Sequence, residues 1–131
     1  MLYNWAVENP DKVSGVAGIY PVCNVASYPG LKRACGAYGM TAEELEANLK
    51  EHNPPERLAP LAKAKIPIYH IHGDNDKVVP LEANTGLIKE RYDKLGGTMT
   101  LELIPGGGHD MKEHWFKSQG LVDFVSGVLV E

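Results

Sequence analysis

Apolar and polar positions along the chain follow two periods. Residues 13–20, 66–72 and 98–104 are short, largely apolar and rich in β-branched side chains, and they read as strands; the stretches between them carry apolar residues three and four positions apart and read as helices. Residues 66–72 are apolar on both alternating sets, which suits a strand covered on both faces of a parallel sheet. Residues 98–104 alternate instead, Met99, Leu101 and Leu103 against Thr98, Thr100 and Glu102, as in an edge strand with one wetter face. Residues 13–20 contain Gly15, Ala17 and Gly18, small side chains that allow a neighbour to pack closely.

Leu2, Trp5 and Ala6 predict an opening helix that Asn9-Pro10-Asp11 terminates. No capping residue precedes it, so the sequence places Met1 inside a longer parent chain. Leu87, Ile88, Tyr92 and Leu95 mark an amphipathic helix stopped by Gly96-Gly97, and Leu121, Phe124, Val125 and Val128 mark a closing one. Right-handed crossovers put the connecting helices on one face of the sheet and leave the last helix to cover the other. The expected class is therefore α/β, three parallel strands flanked by helices on both faces. There is no internal repeat.

Residues 22–53 form an excursion too long for an ordinary connection. Thr41-Ala42-Glu43-Glu44 is a capping box that predicts a helix over 42–50, and Asn53-Pro54-Pro55-Glu56 is a second capping signature opening a short helix toward Ala64. The excursion is a candidate lid, with a solvated insertion as the equally weighted alternative.

Composition narrows the classes. A chain of 131 residues has the length of one domain, and its net charge of −4 with interspersed signs carries no basic block for nucleic acid. No apolar run approaches the roughly 20 residues that span a bilayer. The 2 cysteines, Cys23 and Cys35, lack zinc-site spacing and leave one bridge and two free thiols equally open.

The chemistry gathers behind the central strand. Gly73-Asp74-Asn75 is a turn, and Asp76 lies just beyond the strand's carboxyl end, the edge where open α/β sheets bind ligands. The Gly-rich run Pro105-Gly106-Gly107-Gly108 brings His109 to the equivalent loop after the last strand, about 30 residues later, the span of one βαβ unit. Neighbouring parallel strands are roughly 4.8 Å apart, so Asp76 and His109 can touch. A carboxylate accepting from one imidazole nitrogen fixes the tautomer and frees the other nitrogen as a base, two-thirds of a catalytic triad. His70 and His72 share a face of the strand and, with Asp74, Asp76 and His109, make a weaker metal-site alternative; hydrogen-bonded structural histidines are the commoner case. His114, Trp115 and Phe116 either border a pocket or pack at a helix start.

The order strand, Gly73-Asp74-Asn75-Asp76-Lys77-Val78-Val79-Pro80, helix, strand, Gly-rich loop with His109, helix resembles the C-terminal half of an α/β-hydrolase, most nearly the prolyl-oligopeptidase-like and esterase-like branches. The resemblance implies a partial α/β-hydrolase fold, with residues 1–131 the C-terminal portion of one domain and the N-terminal half of the sheet missing. It selects Asp76 over Asp74 as acid and His109 as base, and it implies no cofactor and no metal. That family's nucleophile stands in a Gly-x-Ser-x-Gly elbow, which this sequence lacks; Ser14, Ser27, Ser118 and Ser126 have no elbow-like context. The nucleophile is expected just upstream of Met1. The expected function is thus that of a fragment of a serine hydrolase acting on small ester or peptide substrates, inactive by itself, with a non-catalytic interaction protein on the same scaffold as the alternative. The unpaired strand edge is expected to promote self-association.

Overall fold

The computed structural model describes residues 2–129. Its sheet has three parallel strands, β1 Val16–Ile19, β2 Ile68–Gly73 and β3 Met99–Ile104, in the spatial order β1-β2-β3. Ile68 lies opposite both Val16 and Met99, and Gly73 lies opposite Ile104, so β2 and β3 end level with each other. β1 is shorter than its apolar run. Tyr20, at φ 35°, turns the chain out of the sheet just after the strand, while its N–H still donates to the Ile71 carbonyl at 2.7 Å.

The helices are α1 Leu2–Glu8, α2 Leu31–Ala34, α3 Ala42–Ala47, α4 Leu49–His52, α5 Ala59–Lys63, α6 Leu87–Lys94 and α7 Gln119–Val128. Tyr3, Ala6 and Val7 of α1, Leu61 of α5, and Ile88 and Tyr92 of α6 pack with Val16, Ile68 and Met99 on one face. The other face joins Tyr69 and Ile71 to Trp115 and to Leu121 and Phe124 of α7. This is the two-sided cover that the crossover rule predicts. Among the described residues no helix is long and apolar enough to cross a membrane.

Several local expectations change in the folded chain. The helix expected over 42–50 begins on its Thr41–Glu44 capping box but divides at Asn48, whose Nδ2 donates back to the Glu44 carbonyl at 2.8 Å, a side-chain bond that competes with helix propagation. Asn53 does not cap. It is buried, with Oδ1 accepting from the Val25 N–H and Nδ2 donating to Asn24 Oδ1, and Pro54–Glu56 forms only a 3-10 turn. A π-helical turn, Glu82–Gly86, precedes α6. On β3 the wetter face is partly reversed: Leu103 is 45% exposed, while Glu102 is half-covered because the Tyr69 and Ser118 hydroxyls both donate to its Oε2. Both cysteines are free thiols, Cys23 buried and Cys35 half-buried.

The excursion is tied to the rest of the protein by polar bonds. Asn84, fully buried in the π turn, accepts from the Cys23 and Asn24 N–H groups and donates to Ser27 Oγ and the Pro80 carbonyl. These bonds hold residues 23–27 against the segment that follows Asp76, in addition to the packing of the buried Cys23 in the core.

Candidate active site

Two loops meet past the carboxyl ends of β2 and β3, and glycine makes their approach possible. A Cβ on Gly73 would collide with the Gly107 carbonyl, and a Cβ on Gly107 would meet the Trp115 ring at 2.9 Å. The gap so closed is stitched by backbone bonds: Asn75 N–H donates to the Gly107 carbonyl at 3.0 Å, and Gly106 N–H donates to Asp74 Oδ1 at 2.6 Å. Asp74 is therefore a loop clamp.

Asp76 is buried and faces His109 across this seam. Its Oδ2 accepts from His109 Nδ1 at 2.8 Å, and its Oδ1 accepts from the N–H groups of Val78 and Val79 at 2.9 and 2.8 Å. Burial opposes the charge on Asp76, but the donors from Val79, His109 and Val78 outweigh it and hold the carboxyl below its ordinary value. An ionised carboxylate only accepts, so Nδ1 of His109 carries the proton. Nε2 has no partner among the described residues, and the side chain is 31% exposed, leaving that nitrogen open to a reacting group.

Aromatic rings set the angle of the imidazole. The Tyr20 ring lies on His109 with centroids 4.4 Å apart and meets Trp115 edge-on at 5.0 Å. Its hydroxyl donates to the Asp110 carbonyl at 3.1 Å, and Trp115 Nε1 donates to Asp110 Oδ1 at 2.7 Å. The Trp115 bond, with that from Lys112, lowers the Asp110 carboxyl to about 2. Trp115 is fully buried beneath the loop, whereas Phe116 is exposed, so of the aromatic cluster read from the sequence Trp115 is the structural anchor. Tyr20 has no distinguishing signal in the sequence, since it stands where a strand residue would.

His70 and His72 are fully buried beneath Asp76 and are engaged through their ring nitrogens. Tyr3 Oη lies 2.8 Å from His70 Nε2; Thr85 Oγ1 lies 2.9 Å from His70 Nδ1 and 2.8 Å from His72 Nδ1; and His72 Nε2 lies 2.9 Å from the Val79 carbonyl. With these partners the two rings have no lone pair directed at a shared ion, and among the described residues no group of three or more His, Cys, Asp or Glu is placed to hold a metal. The metal alternative finds no geometric support. Burial lowers His70 to about 3, aided by its neighbour His72, and burial is also the main cause of the lowering at His72. Both imidazoles are neutral at pH 7, and the 3.6 Å approach of His72 Nε2 to Asp76 Oδ2 is not an ion pair.

A parallel sheet flanked by helices, with side chains gathered in the loops past its carboxyl edge, is the arrangement of an α/β-hydrolase. Residues 7–115 match the model of the dienelactone hydrolase family, within that superfamily, and the chain belongs to this family. Its fold is shared by solved structures of low sequence identity. A truncated carbohydrate esterase from gut microbiota is 24% identical over 91% of this chain and 44% of its own, with a TM-score of 0.65. An S-formylglutathione hydrolase from Agrobacterium tumefaciens is 16% identical over 96% of this chain and 43% of its own, with a TM-score of 0.66. A Bacteroides ovatus protein assigned as a dipeptidyl aminopeptidase IV is 16% identical over 97% of this chain and 16% of its own, with a TM-score of 0.66. The chain thus spans less than half the length of each of these structures. No curated protein matches the sequence.

The buried neutral imidazoles make stability depend on pH. Unfolded histidines take up a proton below about 6.5, while native His70 resists protonation down to about 3, so acidification through that window favours the unfolded chain. Urea midpoints measured from pH 7.5 to 4.5 are expected to fall, with His70 contributing a slope approaching 1.4 kcal/mol per pH unit. A His70→Asn variant, unable to titrate, should show a shallower slope; identical slopes would remove His70 from the effect.

Proposed function

We propose that the protein containing this chain hydrolyses ester or peptide bonds of a small substrate through an acyl-enzyme, with Asp76 and His109 as the acid and base of a serine triad. The observation that carries this reading is the 2.8 Å bond from His109 Nδ1 to a buried carboxylate, with Nε2 left open. In this reading the nucleophile is a serine outside these 131 residues, because no serine here lies in a Gly-x-Ser-x-Gly context. His109 Nε2 takes the hydroxyl proton as the serine oxygen attacks the carbonyl carbon, and then delivers it to the leaving alkoxide or amine. Water repeats the sequence to release the acid. Asp76 remains ionised throughout, holding the tautomer and stabilising the imidazolium. No cofactor takes part.

Family membership and the esterase and peptidase descriptions of the structural neighbours support hydrolysis in general, and the geometry of Asp76 and His109 supports the serine route. In the full-length protein, Asp76→Asn is expected to lower kcat by on the order of 10⁴, because the amide can donate to Nδ1 and stabilise the wrong tautomer. Unchanged turnover would take Asp76 out of the mechanism.

A fluorophosphonate probe should label the full-length protein once, on a serine outside this segment, and should leave the isolated 131-residue chain unlabelled. Stoichiometric, His109-dependent labelling of the isolated chain would overturn this account of the nucleophile.

The isolated chain is also proposed to self-associate through the open edge of β1. Beside that strand lies an apolar groove of about 400 Å³, bordered by Leu2 and Trp5, which are 63% and 49% exposed, and by Phe124 and Val125. An unpaired edge beside an apolar groove is a template for a second copy. Sedimentation velocity is expected to show concentration-dependent association, and a monodisperse monomer that unfolds cooperatively would argue against it.

A further inference from the structure

We propose that Tyr3, His70, Thr85 and His72 form a one-directional hydrogen-bond relay that holds His72 as its neutral Nε2–H tautomer and thereby positions Asp76 for His109 alone. The proposal rests on the acid and base roles given above to Asp76 and His109, and it adds four residues that the hydrolytic reading does not use.

The direction follows from one atom. The Val79 carbonyl can only accept, so His72 Nε2, at 2.9 Å, must carry a proton. A neutral ring then leaves Nδ1 as an acceptor, and its one hydrogen-bond partner among the described residues is Thr85 Oγ1 at 2.8 Å, which must donate. Thr85 has a single hydroxyl proton. Having given it to His72, it can only accept from His70 Nδ1 at 2.9 Å, and this leaves His70 Nε2 to accept the Tyr3 hydroxyl proton at 2.8 Å. Each donor is used once, and all four ring nitrogens of His70 and His72 have one partner. His70, His72 and Thr85 are fully buried and Tyr3 is 5% exposed, so water does not compete for these bonds.

The end of the relay lies at the acid. Val79 accepts from His72 through its carbonyl and donates to Asp76 Oδ1 through its own N–H at 2.8 Å. One loop residue is thus pulled toward β2 by the relay while it holds the carboxylate. His72 Nε2 also lies 3.6 Å from Asp76 Oδ2, the oxygen that accepts from His109. A protonated His72 would set a second cation there and compete with His109 for the same oxygen. With the Thr85 hydroxyl donating to it, His72 Nδ1 takes a second proton only if Thr85 and His70 both reverse their bonds, so the relay opposes an imidazolium there. His72 and Thr85 are positioning residues in this sense: they act on the reaction through Asp76.

The test uses the full-length protein. Imidazole ¹⁵N spectra at pH 7 should show His72 protonated at Nε2 only and His70 protonated at Nδ1 only; reversed tautomers, or an imidazolium at either position, would overturn the relay whether or not the protein is a hydrolase. Thr85→Val, which keeps shape and removes the hydroxyl, should lower kcat by on the order of ten-fold or more with little change in KM. It should also move the downfield proton resonance of the His109–Asp76 bond upfield. Thr85→Ser should restore both. A folded Thr85→Val protein with wild-type kcat and an unmoved resonance would refute the positioning role, and if that variant does not fold, the wild-type tautomers decide the matter.

Discussion

A negative charge kept out of water is the constraint around which this structure is arranged. Asp76 is buried at the end of β2, and it is ionised there only because two backbone N–H groups and one imidazole N–H converge on its oxygens. A buried carboxylate without such partners would be neutralised or would destabilise the fold. Two of the donors come from its own loop, from residues two and three positions further on, so the loop's conformation and the charge sustain each other. The third comes from a different strand's loop, and this makes the meeting of the two loops a matter of stability as well as of chemistry.

The seam between those loops shows why small residues gather there. A side chain on Gly73 would strike the Gly107 backbone, one on Gly107 would crowd Trp115 and Ile104, and Asp74 uses its carboxylate to accept from Gly106. Trp115 closes the loop from the other side of the sheet and is itself fixed by Asp110. Tyr20, leaving β1 with a positive φ, reaches across to lie on His109. The end of each strand therefore contributes one group to the imidazole's surroundings: a ring from β1, a carboxylate from β2 and the histidine itself from β3.

Beneath the carboxylate, polar groups replace apolar packing on one face of the central strand. His70 and His72 occupy positions where Ile68 two residues earlier packs against hydrocarbon, and they are tolerated because Tyr3, Thr85 and the Val79 carbonyl satisfy them. A fully satisfied polar network in a low-dielectric interior is specific about geometry, since the loss of any member leaves a buried group unpaired. The asparagines do similar work around the excursion. Asn84 holds its first residues to the segment after Asp76 across 57 to 61 positions, and Asn53 ties the end of the excursion back to its start across 28 and 29.

The sequence by itself determined the class of fold, the three strands, the helix faces and the adjacency of the Asp76 and His109 loops. Each of these follows from local periodicity or from the length of a single βαβ unit, and handedness then fixes which face each helix covers. It did not determine that Asn53 is a buried tie and not a cap, that Asn48 interrupts a helix, or that Tyr20, Thr85 and Tyr3 belong around Asp76 and His109. Thr85 lies in a π turn 13 and 15 residues from the two histidines it joins, and Tyr3 lies 67 from its own partner. Polar bonds of that reach leave no period in the chain. They exist only once packing has excluded water and each buried donor must find the acceptor that the tertiary structure has placed beside it.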